Sequence, residues 1–192
     1  MERKEHSMSK LAVYFPGIGY HCDKPLLYYS RKIACERGYE HYRNVDYSYK
    51  AENIRGNEKK MREAYEALSA QAETALADID WNAYDDILFV SKSIGTVIAA
   101  SYAQEHGLGK AKHILYTPLA QTFSSSPDKA VAFIGTADPW SNTDEIIRLA
   151  KDCHIPLTVY QDCNHSLECP DTLKNIEILM DVMQKTFRYC QP

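Results

Sequence analysis

Three side chains in this sequence have types and settings suited to nucleophilic chemistry, and each follows a short apolar run. Ser93 stands in Ser91-Lys92-Ser93-Ile94-Gly95, directly after the apolar residues 87–90. A serine on a sharp strand-to-helix turn exposes its hydroxyl, and the helix that follows offers backbone N–H groups and a favourable dipole to developing negative charge. Such a turn crowds the positions two residues to either side, so these must be small. Here they are Ser91 and Gly95. A serine at this point also caps helices without doing chemistry, and the local sequence leaves both roles open. Ser91 is a rival hydroxyl, but it has Ser93 rather than glycine two residues on.

Asp138 lies in Gly135-Thr136-Ala137-Asp138-Pro139-Trp140, just past the apolar run 130–134. A carboxylate held there can orient a histidine and fix its tautomer; an Asp-Pro pair that merely forms a turn is the alternative. His165, in Asp162-Cys163-Asn164-His165-Ser166-Leu167, follows the run 157–160 and is placed to act as a general base. His6, His41, His106, His113 and His154 have no matching partners and most sit in surface-like contexts. His21 falls in a loop past a strand, as do Thr117, Pro118 and Leu119, and all four are expected to line a pocket. The conjunction outweighs any member: serine, acid and histidine each stand at the end of a different strand candidate.

The elements that would position them alternate along the chain. Residues 11–15 (Leu-Ala-Val-Tyr-Phe) break at Pro16-Gly17-Ile18-Gly19, as a strand running into a loop does. A helix follows, with Asp23 as its expected cap, Pro25 in its first turn and Gly38 as its end. Tyr39 to Tyr47 suggests a second strand. Residues 57–80 read as a long helix with Met61, Tyr65, Leu68, Ala72, Leu76 and Ile79 on one face. The run Ile87-Leu88-Phe89-Val90 suits a central strand buried on both sides. A helix over 94–106 closed by Gly107, strands at 113–116, 130–134 and 157–160, and helices at 143–152 and 171–188 complete the pattern. In the last helix Leu173, Ile176, Met180, Met183 and Phe187 are expected to form the buried face. Six strands alternating with helices predict an α/β fold: a doubly wound, mostly parallel sheet with helices on both faces. Ligands bind such sheets beyond the carboxyl ends of the strands, where all three candidates lie.

Composition narrows the function classes. The formal charge of −4 gives no basic footprint for nucleic acid, and no apolar run approaches the roughly 20 residues that cross a bilayer. The start of the chain lacks the apolar stretch of a secretory leader. The six cysteines form no CxxC pair and are expected to be free thiols, in keeping with a cytoplasmic protein. Cys163, His165 and Cys169 have the spacing most like a metal site but lack a fourth ligand, so neither metal nor cofactor is expected. No linker divides the chain, which reads as one domain over 1–192, with 1–9 as a flexible N-terminal segment.

With its elbow, acid loop and histidine loop in this order, the chain resembles the α/β-hydrolase superfamily over nearly its whole length. Ser91 to Gly95 is similar to that family's G-x-S-x-G, with Ser91 departing from the first glycine. Asn164-His165-Ser166-Leu167-Glu168 resembles the histidine loop of small, dienelactone-hydrolase-like members. The resemblance implies catalytic roles for Ser93, Asp138 and His165. It implies an oxyanion hole from the N–H groups of Ile18 and Ile94, with Gly17 and Gly19 lining the substrate site. It further implies a strand order of 2-1-3-4-5-6. The dozen or so residues between the fourth and fifth strands leave no room for the cap domain of many relatives. A shallow cleft bordered by loops 16–23, 47–57 and 117–128 is therefore expected, favouring short and polar or mixed acyl substrates. Hydrolysis of a carboxylic ester is the first expectation. A thioesterase or peptidase with the same residues, or a non-catalytic ligand-binding module on the same fold, are the alternatives.

Overall fold

The structure, a computed structural model, describes residues 9–50, 52 and 54–191. Six strands form one sheet: β1 (Lys10–Phe15), β2 (His41–Asn44), β3 (Asp86–Lys92), β4 (Lys112–Tyr116), β5 (Ala130–Gly135) and β6 (Leu157–Tyr160). All neighbours are parallel, in the order β2-β1-β3-β4-β5-β6 that the resemblance implies. Five helices connect and flank them: α1 (Pro25–Glu36), α2 (Glu58–Leu76), α3 (Ile94–Glu105), α4 (Thr143–Asp152) and α5 (Thr172–Tyr189). The central strands are apolar at nearly every position because both faces are covered, and successive side chains point to opposite layers. Leu11, Val13, Phe15 and Phe89 pack with α2 and α3 on one face, where Leu115, Ala132 and Ile134 pack with α4. Ala12, Tyr14, Leu88, Val90 and Tyr116 pack with α1 and α5 on the other.

Several local expectations give way to tertiary context. Asp23 does not cap α1: its carboxylate pairs with Arg31 at 2.9 Å, and the helix starts at Pro25 without a side-chain cap. The second strand is shorter than its Tyr-rich sequence suggests, since Tyr39 turns inward and donates its hydroxyl to Asp86 at 2.8 Å. His113 is buried against Phe89 rather than surface-like, and burial pushes its imidazole down to about 4. Of the segment expected to be flexible, residues 1–8 lie outside the described residues; Ser9 bonds to Asp85 through both its N–H and its carbonyl.

The largest correction concerns α5. Its buried residues are Ile178, Val182 and Thr186, whereas Leu173 is 73% exposed, Ile176 60% and Met180 57%. The helix carries apolar side chains on two faces, so its periodicity admits two orientations. The choice falls to Thr186, whose hydroxyl bonds Tyr116 at 2.6 Å beneath the sheet, while Phe187 lies outside under the Arg37 guanidinium. Ile178→Ala should accordingly cost about 2–5 kcal/mol, and Leu173→Ser should stay within about 0.5 kcal/mol, in urea melts of the two variants. The reverse ranking would restore the first orientation.

The β4–β5 connection holds a 3-10 turn, Ala120–Ser125, whose Phe123 packs in the layer with Ile146 and Ala150 of α4 and whose Thr122 bonds Thr96 of α3 at 2.6 Å. No cap domain stands there. Among the described residues no helix is long and apolar enough to cross a membrane.

Candidate active site

The turn between β3 and α3 is a strained one. Ser93 has φ 57° and ψ −128°, a conformation that costs a non-glycine residue about 1–3 kcal/mol unless its surroundings enforce it. The surroundings do. A Cβ at Gly95 would meet the Phe15 carbonyl oxygen at 2.3 Å and that of Pro16 at 2.5 Å, so only glycine lets the helix start press against the end of β1. Gly17 also packs closely on this turn, since a Cβ there would fall 3.0 Å from Ser93 Cβ. Ser91 is no rival here: it is fully buried and donates its hydroxyl to the Ile114 carbonyl at 3.2 Å.

The acid and histidine loops are locked to each other. A Cβ at Gly135 would lie 2.0 Å from the Cys163 carbonyl oxygen, which accepts from the Ala137 N–H at 2.9 Å. Thr136 Oγ1 accepts from the Asp162 N–H at 2.8 Å. Asn164 folds the histidine loop on itself, its side-chain oxygen accepting from the Ser166 N–H at 2.7 Å and the Glu168 N–H at 3.3 Å. The sequence offered Asn164 only as part of a resemblance; its role is that of a turn-forming side chain.

These supports bring the three candidates into one hydrogen-bonded chain. Asp138 Oδ2 lies 2.7 Å from His165 Nδ1, and His165 Nε2 lies 2.7 Å from Ser93 Oγ. A carboxylate only accepts, so Nδ1 carries the proton and Nε2 accepts from the serine hydroxyl. The other Asp138 oxygen accepts from the Trp140 N–H at 2.8 Å. The Asp138 side chain is shielded from solvent, and the Trp140 ring lies 5.9 Å from the imidazole. His165 is held below the ordinary imidazole range, chiefly because burial penalises its charged form. The Asp138 bond pulls the other way, and the charge on Lys92 adds to the fall.

Ser93 and His165 open into a cleft of about 390 Å³ lined by Ile18, Ile54, Arg55, Met61, Ile94, Leu119 and Trp140. Loops 16–23, 47–57 and 117–128 each contribute to its wall. The walls are mostly apolar, where the bordering loops suggested polar or mixed substrates. A second groove of about 450 Å³ adjoins it, sharing Met61, Ile94 and Leu119 and running on past Tyr65 and Val97. Ile54 and Arg55 come from the loop 47–57 expected to border the cleft, whereas Met61, assigned to the buried face of the long helix, escaped prediction as a wall residue.

Of the residues expected to line the pocket, Leu119 does so. Thr117 is buried at φ 44°, and the Pro118 carbonyl accepts from Ser141. His21 is exposed and accepts from the Asp23 N–H, outside the cleft wall. Gly17 and Gly19 shape the loop instead: Gly17 and Tyr20 exchange backbone bonds across a tight turn, with Gly19 at φ 73°. The N–H groups of Ile18 and Ile94 have no backbone acceptor among the described residues. Ile94 opens α3, where no carbonyl of its own helix can reach it.

The all-parallel order, the strained serine turn and the hydrogen-bonded chain can be set beside solved structures. The chain is similar to an α/β serine hydrolase without a lid from Xanthomonas campestris, with 15% identity over 100% of this chain and 86% of that one, at a TM-score of 0.56. It is similar also to an α/β serine hydrolase homologue from Coxiella burnetii, with 16% identity over 94% and 84% of the two chains, at a TM-score of 0.60. This chain has the α/β-hydrolase fold. The Pyrococcus furiosus esterase Pf2001 shares that fold at 11% identity, over 95% of this chain and 82% of its own, with a TM-score of 0.60. No protein-family model and no curated protein matches the sequence. Within the α/β-hydrolase fold, the three polar side chains occupy the ends of β3, β5 and β6, and the lack of a cap leaves their cleft open.

Proposed function

We propose that the protein is a serine hydrolase that cleaves a carboxylic ester or related acyl bond through an acyl-enzyme on Ser93. The observation that carries this reading is the continuous Asp138–His165–Ser93 chain, with 2.7 Å at both links, opening into an apolar cleft. His165 Nε2 takes the Ser93 proton as Oγ attacks the carbonyl carbon, and Asp138 stabilises the imidazolium that forms. The N–H groups of Ile18 and Ile94 donate to the oxyanion of the tetrahedral intermediate. Collapse expels the alcohol, which leaves with the proton from His165. Water, activated by the same imidazole, then releases the acid and restores Ser93.

The neutral imidazole is the working form, so activity falls as His165 becomes protonated. Because burial holds His165 below its ordinary value of about 6.5, the acid limb of kcat/KM should have its midpoint below about 6.5. Activity should persist through mildly acidic pH and be lost below that midpoint. A midpoint at or above the ordinary value, in a kcat/KM profile from pH 4 to 9, would contradict this.

The open, mostly apolar cleft supports esters of short apolar acids, taken from solution, as the substrate class. Each methylene buried contributes at most about 0.8 kcal/mol, or roughly fourfold in specificity. In a series of nitrophenyl esters of rising acyl length, kcat/KM should climb over the first few carbons and level once the groove is filled. No rate jump should accompany micelle formation, since no lid covers an apolar surface. Failure to turn over any ester of the series, or a jump at the micelle concentration, would reject the assignment.

A further inference from the structure

The cleft that holds Ser93, His165 and Trp140 continues into the adjoining groove of about 450 Å³, and Met61, Ile94 and Leu119 line both. This groove follows α3 away from the serine turn. Ile94, Val97 and Ser101 line it, at the three- and four-residue spacing that shares one face of a helix. Met61 and Tyr65 of α2 and Leu119 of the β4–β5 connection supply the rest of its apolar wall. Ile94 and Leu119 are buried in one core cluster, and Met61, Tyr65 and Val97 pack against it half-covered. Beyond Val97 the lining turns polar, with Ser101 and Ser124.

The chemistry of acyl transfer decides which half of a substrate enters this groove. The carbonyl oxygen turns to the N–H groups of Ile18 and Ile94. The alkoxy oxygen has to lie at His165 Nε2, whose proton it takes as it leaves. The alcohol therefore occupies the side walled by His165 and Trp140. Neither of those residues lines the adjoining groove, so the direction past Ile94 is left to the acyl carbon. Along α3, Val97 stands about 4.5 Å and Ser101 about 10 Å from Ile94, at 1.5 Å per residue. An extended alkyl chain advances about 1.3 Å per carbon, from C–C bonds of about 1.5 Å, so one of about six carbons passes Val97 and ends short of Ser101.

We propose that this groove is the acyl arm of the substrate site, taking an apolar chain of about six carbons, with Val97 and Ser101 as the residues that set its length. The proposal rests on the serine-hydrolase reading and names the half of the substrate that each groove receives. Methylenes that lie against Ile94, Val97 and Tyr65 leave water for an apolar wall, and each strengthens binding. Those that reach Ser101 and Ser124 meet hydroxyls and gain nothing further.

The test crosses an acyl series with an alcohol series in the wild type, Val97→Trp and Ser101→Leu, all below micelle concentrations. With nitrophenyl esters, kcat/KM of the wild type should level at an acyl length of about six carbons. Val97→Trp, which fills the arm, should lower the hexanoyl-to-acetyl ratio about tenfold or more. Ser101→Leu, at a half-buried position, should carry the rise on to longer chains, and it decides the matter should Val97→Trp fail to fold. With acetate esters of lengthening alcohols, the dependence on alcohol length should be the same in all three proteins. An unaltered acyl profile in the variants, or a narrowing of the alcohol series instead, would overturn the proposal. Hexanoate titrated into Ser93→Ala keeps the two readings apart, because binding needs no chemistry: the NMR signals of the Val97 methyls should shift. A shift without ester turnover in the wild type sinks the hydrolase reading alone; turnover with Val97 unmoved sinks the acyl arm alone.

Discussion

Ser93→Ala should lower kcat by about 10⁶-fold, the scale seen when the nucleophile of a serine triad is removed. The loss should appear in kcat, because the hydroxyl forms the bond that breaks the substrate while the cleft walls remain. Stability should change little. Among the described residues the Oγ makes one hydrogen bond, to His165, worth about 0.5–1.5 kcal/mol net. The strained turn is imposed by the contacts of Gly95 and Gly17 rather than by that bond. Steady-state turnover of a short ester, paired with a thermal melt, checks both halves. Retention of more than about a hundredth of the activity would place the nucleophile elsewhere.

Asp138→Asn should reduce turnover about 10³–10⁴-fold, as the matching change does in serine proteases. The argument is one of tautomers. Asp138 holds the Nδ1 proton of His165 at 2.7 Å and leaves Nε2 free to accept from Ser93. An amide turned to donate toward Nδ1 forces the proton onto Nε2, which then cannot accept from the serine. The other oxygen, which takes the Trp140 N–H, can keep its bond, so the loop should stay in place. Near-normal activity in Asp138→Asn would mean that Asp162 or Glu168 serves as the acid. Both are exposed, and the Asp162 backbone is tied to Thr136.

The fold was legible because the strands that carry it are buried on both faces. Runs such as 87–90 and 130–134 have no other reading between helical segments, and chain order then sets a parallel sheet. The three polar residues were legible for the same reason, each standing where an apolar run stops. What escaped depends on distant contacts. The orientation of α5 is decided by Thr186 meeting Tyr116, which no periodicity along the helix contains. Asp23 looked like a cap until Arg31, two turns into the helix, claimed its carboxylate. The loop holding Ile54 and Arg55 was expected at the cleft, but the wall residue Met61 comes from a helix start brought over the sheet by folding, and nothing in the local sequence marks it as a neighbour of Ser93. Lys92 drew no notice for a related reason: its alternate position on β3 turns it away from solvent, and only the structure shows the Tyr20 ring over which it lies.

The central claim is that His165 and Asp138 make Ser93 a nucleophile. A fluorophosphonate adds covalently only to an activated serine, so peptide mapping after labelling reads that claim at a single residue. The folded protein should carry one adduct, on Ser93, formed rapidly at neutral pH and absent after heat denaturation. No adduct, or one on Ser91 or any other hydroxyl, would contradict it.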